Sequence, residues 1–437
     1  MSGLRPAQPR PARHNAALRQ GALPCTINWL VDFPATSRQS PLRPCWAEID
    51  TAAFEHNYRL LSSMAGPACA SLAIVKANAY GHGLEICAPA AVRGGAQWLG
   101  VTSVEEGVAA RSLCPSARIL VMGGLFPGQA AATLAGQLTP VVWEPYQLGE
   151  LERAAEDRRA TLPVHLEIDT GMSRQGANLA DLPAILARLA GASPLRLEAI
   201  MTHLYASDDG TGETTAAQLD KLERALGFVA AEPTLRPEFL SVGASAALLG
   251  GESDQIAALA KRFRLRPMVR IGIGLYGVAP RFNPPLADPL HAAKLAQAGA
   301  QLKPVLTWKT RITSVRSIPA GTQIGYNGTF VATEPMRLAL LPIGYADGLD
   351  RRLSNRFSLL AGGQRAPLVG RISMDQAVLD ITEIPGLAPG EEVVILGSQG
   401  AASVTAYDHA DASGTVPWDV FTRIAARVAR IGRATAG

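Results

Sequence analysis

Eight short apolar runs between residues 70 and 277 alternate with longer segments that carry apolar residues at helical spacing. In AAQLDKLERALGFVAA, for example, Leu219, Leu222, Leu226 and Val229 recur at three- and four-residue intervals. Eight repeats of strand, helix and parallel strand are typical of a closed (β/α)8 TIM-type barrel, although an open doubly wound sheet has a similar pattern. The predicted strands are ASLAIVK (70–76), WLGVTS (98–103), RILVMGG (118–124), LTPVVWE (138–144), LPVHLEIDTG (162–171), LRLEAIMTHL (195–204), FLSVGAS (239–245) and MVRIGIGLYG (268–277).

The pattern changes after the proline-rich stretch PRFNPPLADPL (280–290). Runs rich in Val, Ile, Leu and Thr then follow closely, separated by Gly and Pro turns, which indicates a mostly-β domain. The last run, PWDVFTRIAARVARIG (417–432), has the pattern of one closing helix. We therefore expect a flexible, basic, Pro-rich extension over 1–44, a strand over 45–53 that can join the C-terminal domain, a barrel over 54–294 and a mostly-β C-terminal domain over 295–437.

Composition limits the partners and the compartment. The 437 residues are 48% hydrophobic and 18% charged, a balance that excludes extended disorder, collagen and coiled coil. The net charge of +4 arises from the first 44 residues, which hold six Arg and one Asp, so we expect no nucleic-acid partner.

No apolar stretch approaches the roughly 18 residues of a membrane span, and the first 44 residues are interpreted as an extension rather than an export signal. Five cysteines without paired spacing indicate a reducing, cytoplasmic location and no structural metal.

Candidate site residues gather towards the carboxyl ends of the predicted strands. Lys76, His203 and Ser245 end strands one, six and seven, Arg174 follows strand five, and Gly272 and Ile273 lie on strand eight. The carboxyl ends of barrel strands form the face that holds the active site, and the loops after strands seven and eight commonly bind phosphate, so we expect a phosphorylated ligand there. A lysine at the end of an apolar strand has its charged form disfavoured, and Lys76 therefore supplies the free amine that a Schiff base requires.

Seven segments resemble, in order, those of the alanine racemase family: VKANAYGHG, IDTGMSRQG, MTHLYASDD, ASAA, MVRIGIGLYG, LPIGYADG and VGRISMD. The resemblance extends from about residue 45 to the C-terminus. It implies that Lys76 binds pyridoxal 5'-phosphate covalently and is one of two catalytic bases. It also implies contacts to the cofactor phosphate from Tyr80, Ser245, Gly272 and Ile273.

The same resemblance implies roles for three further residues. Arg270 faces the pyridine nitrogen, to which it donates without handing over a proton, since arginine is effectively always protonated. The cofactor is then a weaker electron sink, which suits a reaction that only moves a proton. His203 orients Arg270, and Arg174 lies near the phenolic oxygen of the cofactor and the carboxylate of the substrate.

The second base is implied to be Tyr326, in GTQIGYNGTF (321–330), on the opposite face of the substrate from Lys76. A tyrosine hydroxyl ordinarily titrates near 10, so it needs stabilising neighbours to act as a base near neutral pH. In the family this tyrosine reaches the site from the partner subunit, as does the loop that matches Met374 and Asp375. The resemblance therefore implies an obligate homodimer with shared sites, in which Tyr345 lines the access to the pocket.

The implied activity is a two-base interconversion of L- and D-alanine that supplies D-alanine for peptidoglycan. Tyr326, Tyr345 and Tyr276 would restrict the pocket to small side chains. Racemisation of serine or of a broader range of amino acids is an alternative, and so is a protein that binds the cofactor without turnover, which Tyr326 and the complete β domain disfavour. Decarboxylation on a related architecture is disfavoured because the β domain lacks cysteine.

Three positions depart from the family pattern. Glu167 stands where many members have a carbamylated lysine beside the arginine that matches Arg174, and we hypothesise that its carboxylate replaces the carbamate. Trp418 stands in place of a tyrosine that touches the phosphate, and its indole has one donor and no acceptor. Ala244 replaces a common asparagine. Because one hydrogen bond to a charged group contributes about 1.5–3 kcal/mol, neither of the last two changes should abolish cofactor binding.

Overall fold

The computed structural model describes residues 42–434. Nearly all of the predicted extension over 1–44 therefore lies outside the described residues. The first element is strand β1 (Cys45–Asp50), and helix α1 (Thr51–Ala65) follows it directly. The Asp50 carboxylate caps that helix by accepting the Ala53 N–H at 2.9 Å, which satisfies one of the donors left free at a helix start.

Eight parallel strands close into a barrel, which confirms the predicted fold class. The last of them pairs with the first, with Ala70 opposite Met268. Nearly all their residues are buried, as expected for strands covered on one side by helices and packed on the other inside the barrel. The barrel strands are β2 (Ala70–Ile74), β3 (Trp98–Val101), β4 (Arg118–Val121), β5 (Thr139–Val142), β6 (Leu162–Glu167), β7 (Leu195–Met201), β8 (Phe239–Ala244) and β9 (Arg266–Ile271).

Helices fill the segments between these strands. The predicted apolar face over 216–231 lies on the longest of them, where Leu222, Leu226 and Val229 are buried and Leu219 is partly buried. No helix in residues 42–434 is long and apolar enough to cross a membrane. The helices are α2 (Lys76–Tyr80), which is a single turn with a left-handed backbone from Ala77 onwards, α3 (Leu84–Arg93), α4 (Val104–Leu113), α5 (Ala130–Ala135), α6 (Pro145–Asp157), α7 (Leu182–Ala190), α8 (Glu213–Ala231), α9 (Ser245–Gly250), α10 (Ser253–Arg262) and α11 (Pro289–Gln301).

The C-terminal region is mostly β, as predicted. Its elements are β10 (Leu306–Arg311), β11 (Ser314–Ile318), β12 (Gln323–Ile324), β13 (Phe330–Val331), β14 (Met336–Leu341), β15 (Ser358–Ala361), β16 (Gln364–Pro367), β17 (Ala377–Asp380), β18 (Glu392–Gln399), β19 (Ala402–Val404), α12 (Ala406–Ser413), α13 (Pro417–Thr422) and β20 (Ala429–Arg433). One sheet has the strand order β16-β15-β18-β10-β1-β20, with β19 added to β18; the others are β11-β14-β17 and β12-β13. Strand β1 thus lies between β10 and β20.

The prediction of one closing helix over 417–432 is wrong. Helix α13 ends at Thr422, and the chain turns to form β20, which pairs in parallel with β1. The Arg430 side chain holds this turn by donating to the carbonyls of Ile424, Ala425 and Val428. Helix α11 also runs across the boundary expected between 294 and 295. The first difference arises from pairing with a strand that is distant in the sequence, which local periodicity does not report.

Candidate active site

A cavity of about 880 Å³ opens at the carboxyl ends of the barrel strands. The fold brings every residue predicted to hold the cofactor to its wall, although these residues lie far apart along the chain. The departures Glu167 and Ala244 lie there too. The predicted cofactor residues in the wall are Lys76, Tyr80, Arg174, His203, Ser245, Arg270, Gly272, Ile273 and Trp418.

Lys76 lies two residues beyond β2 rather than at its end. The four residues after it, from Ala77 to Tyr80, all have positive φ values of 50–53°. A left-handed backbone costs roughly 1–2 kcal/mol for each residue with a Cβ, so this turn requires compensating contacts. The Asn78 side chain accepts the Leu84 N–H at 2.7 Å, and the Tyr80 ring stacks on Tyr276 with centroids 4.8 Å apart.

Contacts from the C-terminal region also hold this turn. Gly81, with φ +78°, approaches helix α13 so closely that a Cβ there would lie 2.2 Å from the carbonyl oxygen of Phe421. Arg430 donates to the Gly81 carbonyl at 2.9 Å. The lysine loop is therefore fixed by both domains, and only glycine fits at position 81.

Burial lowers the pKa of Lys76, and the positive charges of Arg174 and Arg270 lower it further, while the Glu106 carboxylate opposes them. These effects favour the free amine, in agreement with the sequence argument. Arg174 lies on the exposed side of the cavity. The wall near the lysine is thus electropositive and suited to anionic groups such as phosphate and carboxylate.

Arg270 is buried, and both of its terminal nitrogens make hydrogen bonds. Its guanidinium donates to the Ser241 hydroxyl at 2.8 Å, to the carbonyls of Thr202 at 2.8 Å and Val242 at 3.0 Å, and it lies 3.0 Å from Nδ1 of His203. Burial lowers the pKa of Arg270 to about 10, so it stays charged at neutral pH. Burial, with the arginine charges, lowers the pKa of His203 to about 3. His203 is therefore neutral, and its Nδ1 accepts from Arg270.

Ser245 and Gly272 form a small cradle at the ends of β8 and β9. The Ser245 hydroxyl accepts the N–H groups of Gly272 at 3.0 Å and Gly274 at 3.3 Å. A Cβ at Gly272 would lie 3.0 Å from the Tyr80 hydroxyl, so glycine leaves that hydroxyl open to the cavity. Tyr276 lies beneath Tyr80, 1% exposed, and donates to the Ile74 carbonyl at 2.8 Å. Tyr276 thus supports the wall without lining the cavity.

Glu167, 2% exposed, ends strand β6. Its carboxylate accepts from Nε2 of Gln175 at 2.5 Å, and Gln175 also donates to the Met122 carbonyl at 3.1 Å. Among residues 42–434, the ion pairs include none between Glu167 and Arg174. Sequence reasoning missed Gln175, although it lies eight residues after Glu167 in the same segment.

Four predicted site residues do not reach the cavity of their own chain: Tyr326, Tyr345, Met374 and Asp375. The first three are exposed on the β domain, by 65%, 43% and 54%. Backbone hydrogen bonds join two of their loops, since the Tyr345 N–H donates to the Ser373 carbonyl at 3.0 Å. Arg427 bridges Asp375 and the buried Asp347, at 2.7 Å from each. The loops that carry Tyr345, Met374 and Asp375 are therefore held together outside the cavity that contains Lys76.

The fold and the cavity define a class of enzyme built from a (β/α)8 barrel and a β domain, with a lysine amine near the carboxyl end of the first barrel strand. Within that class, the chain belongs to the alanine racemase family. Residues 49–280 match the model for the alanine racemase N-terminal domain, and residues 305–432 match that for the C-terminal domain.

Individual relatives match this chain over almost their whole length. The alanine racemase of Symbiobacterium thermophilum is 38% identical over 398 residues, which cover 89% of this chain and 97% of the relative. A crystal structure of alanine racemase from Streptomyces lavendulae has 31% identity and a TM-score of 0.79, with 90% of this chain and 98% of that one covered. The Bartonella henselae alanine racemase, solved with covalently bound pyridoxal phosphate, has 26% identity and a TM-score of 0.75, with 89% and 99% covered.

Proposed function

We propose that the protein interconverts L- and D-alanine with pyridoxal 5'-phosphate as its cofactor. The observation that carries this proposal is the convergence of Lys76, Arg270 and the Ser245–Gly272 cradle on one cavity. The residues fit the cofactor: an amine with a lowered pKa, a cradle open beside a tyrosine hydroxyl, and a buried guanidinium for the ring nitrogen. When bound, the cofactor withdraws electrons from the substrate Cα, which makes the Cα proton easier to remove.

Each residue of the cavity has a separate role. Lys76 holds the cofactor and takes or returns a proton at one face of the substrate Cα. Neutral His203 accepts from Arg270 and keeps its guanidinium directed at the ring nitrogen. Because Arg270 keeps its proton at neutral pH, it would donate a hydrogen bond to the ring nitrogen without protonating it. Arg174, on the open side of the cavity, would pair with the substrate carboxylate, and Trp418 would lie near the cofactor phosphate.

Racemisation also needs a group at the other face of Cα. We assign this role to Tyr326 of the partner subunit, in a homodimer with two shared sites. Support comes from its place on the exposed surface of the β domain, outside the cavity of its own chain. Tyr345, Met374 and Asp375 lie on the same domain and would close the access to the partner's cavity, which favours a small substrate such as alanine.

We further propose that the enzyme acts in the cytoplasm and supplies D-alanine for peptidoglycan. The four cysteines within residues 42–434 are free thiols, which agrees with a reducing compartment. Serine is the second candidate substrate, because Trp418 is 37% exposed at the cavity wall and changes its shape relative to the tyrosine of the family.

A mixing experiment tests the shared site. The Lys76→Ala and Tyr326→Phe variants are each expected to be inactive, but random exchange of subunits restores one intact site in each heterodimer. Activity should return to about a quarter of the wild-type value, since half of the dimers are mixed and each has one working site. If mixing restores nothing while exchange of subunits is demonstrated, each chain does not complete its partner's site.

Two further measurements identify the reaction. Borohydride reduction followed by peptide mapping should place the cofactor on Lys76, and an adduct on another lysine would refute the assignment. A kinetic panel of L-amino acids should give the highest kcat/KM with alanine. A higher value with serine would make this a serine racemase, and slow exchange of the alanine Cα hydrogen with solvent deuterium would indicate a protein that only binds the cofactor.

A further inference from the structure

Glu106, on helix α4, bridges two backbone segments at the edge of the cavity. Its Oε1 accepts the N–H of Ala77 at 2.6 Å, and its Oε2 accepts the N–H of Thr102 at 2.8 Å. Ala77 directly follows Lys76, and Thr102 directly follows strand β3. Both residues line the cavity. One carboxylate therefore ties the lysine loop to the neighbouring barrel strand.

The first of these hydrogen bonds acts on the backbone of Lys76 itself. The nitrogen of Ala77 belongs to the peptide group whose carbonyl is that of Lys76, so fixing its N–H fixes the plane of that peptide. Ala77 also begins the left-handed turn, with φ 52°. A backbone in this sparsely populated region persists only when its surroundings hold it. Glu106 is a side chain that holds the start of the turn.

The charge of Glu106 has a second effect on the same lysine. The charged and titratable groups that face Lys76 are Arg174 from the loop after β6, Arg270 from β9, His203 from the end of β7 and Glu106 from α4. The two arginines lower the pKa of the amine, whereas Glu106 raises it. His203 is neutral because burial lowers its pKa to about 3. Glu106 is thus a carboxylate that offsets the two guanidinium groups.

We propose that Glu106 is a positioning residue for Lys76: its carboxylate fixes the peptide that follows the lysine and balances the positive charge around the amine. The inference rests on the proposed function, in which Lys76 holds the cofactor. Glu106 acts through the backbone and through its field, without touching the substrate.

The neighbouring Glu105 provides a matched control. It lies on the same turn of α4, is exposed, and accepts from Nε2 of Gln129 at 3.0 Å. Glu105→Gln and Glu106→Gln remove the same charge from adjacent positions. Only the second breaks the link between the lysine loop and strand β3, because a glutamine amide oxygen can replace one of the two carboxylate oxygens but its NH2 group cannot accept the other backbone N–H.

The test measures how fast the purified dimer recaptures pyridoxal phosphate at Lys76 after the cofactor has been removed, as a function of pH. In Glu106→Gln we expect the maximal rate to fall about tenfold, the effect of one lost charge-assisted hydrogen bond. We expect the midpoint of the profile to move to lower pH, because the carboxylate that raises the pKa of Lys76 is gone. Glu105→Gln should match the wild type in both respects.

A third variant separates position from charge. Glu106→Asp keeps the negative charge but is one methylene shorter, so the midpoint should stay near that of the wild type while the maximal rate falls. If Glu106→Gln does not fold, the recapture rate of Glu106→Asp still tests the role of Glu106 in positioning Lys76. An unchanged rate and midpoint in Glu106→Gln, with the adduct mapped to Lys76, would overturn the role of Glu106 alone. A wild-type adduct on another lysine would instead overturn the proposed function and this role with it.

Discussion

The substitution Glu167→Gln should affect the free energy of unfolding and the racemase activity in different ways. Burial raises the pKa of Glu167, while the Gln175 hydrogen bond and the charges of Arg270 and Arg174 oppose this rise without cancelling it. A raised folded-state pKa means that folding favours the protonated form. The stabilising contribution is therefore complete below the unfolded pKa of about 4.3 and is lost as pH rises through the folded pKa. Above its folded-state pKa, Glu167 is a buried charge that destabilises the fold, and glutamine does not carry this charge.

The magnitudes follow from the contacts. In Glu167→Gln the new side chain would keep an amide oxygen for Nε2 of Gln175, which lies 2.5 Å from the wild-type carboxylate, so about 1 kcal/mol of charge assistance is lost. Relief of the buried charge offsets this loss, and the free energy of unfolding at pH 7 should lie within about 1 kcal/mol of the wild type or above it. Activity should fall, because Arg174 and Arg270 lose a nearby negative charge. We expect kcat/KM to drop about tenfold, equivalent to about 1.4 kcal/mol.

Urea unfolding at pH 5 and pH 8, together with racemisation kinetics, tests both statements. The stability of Glu167→Gln relative to the wild type should increase from pH 5 to pH 8. Gln175→Leu is the control: it leaves the charge without its donor, and its unfolding free energy should fall by about 1–3 kcal/mol. Full activity and full cofactor affinity in Glu167→Gln would refute the idea that this carboxylate does the work of the carbamate.

Three other predictions concern the proposed second base, a buried ion pair and acid stability. Tyr326→Phe should lower kcat by roughly 10²–10⁴, the usual contribution of a general base, with the cofactor absorbance unchanged; full-rate racemisation would place the base elsewhere. Burial raises the pKa of Asp347, but its arginine partners outweigh this effect, and the net pKa is lowered. Asp347→Asn should therefore lower the free energy of unfolding by about 2–3 kcal/mol at pH 7. In urea titrations this difference from the wild type should shrink below about pH 4. Burial lowers the pKa of His82 to about 3 and that of His409 to about 4, so the folded state favours the neutral imidazoles. Their contribution to the free energy of unfolding is therefore complete above about pH 6.5 and is lost as the pH falls towards the folded-state pKa values. Unfolding free energies that stay constant from pH 7 to 5 would contradict this assignment.

The barrel was predictable because its signal is local and repeated. Each strand is an apolar run bounded by a loop, and all eight predicted runs contain the observed strands or most of their residues. The predicted strand ends were less accurate: β2 stops at Ile74, and the left-handed turn that begins at Ala77, directly after Lys76, is not indicated by any propensity. The failure at 417–432 has a tertiary cause, since β20 forms there only because β1 offers it an edge.

The residue types of the site are a property of the sequence: an amine after an apolar strand, an arginine and a serine at strand ends, and a tyrosine in a separate β domain. Which of them meet was decided by closure of the barrel, which brings Lys76 and Arg270 to one cavity and leaves Tyr326 on an outer surface. The bonds of Glu167 to Gln175 and of Glu106 to the lysine loop are also tertiary. The physical reason is range: periodicity records which side of a strand or helix is buried, whereas a hydrogen bond depends on distances between chain segments that only the folded barrel brings together.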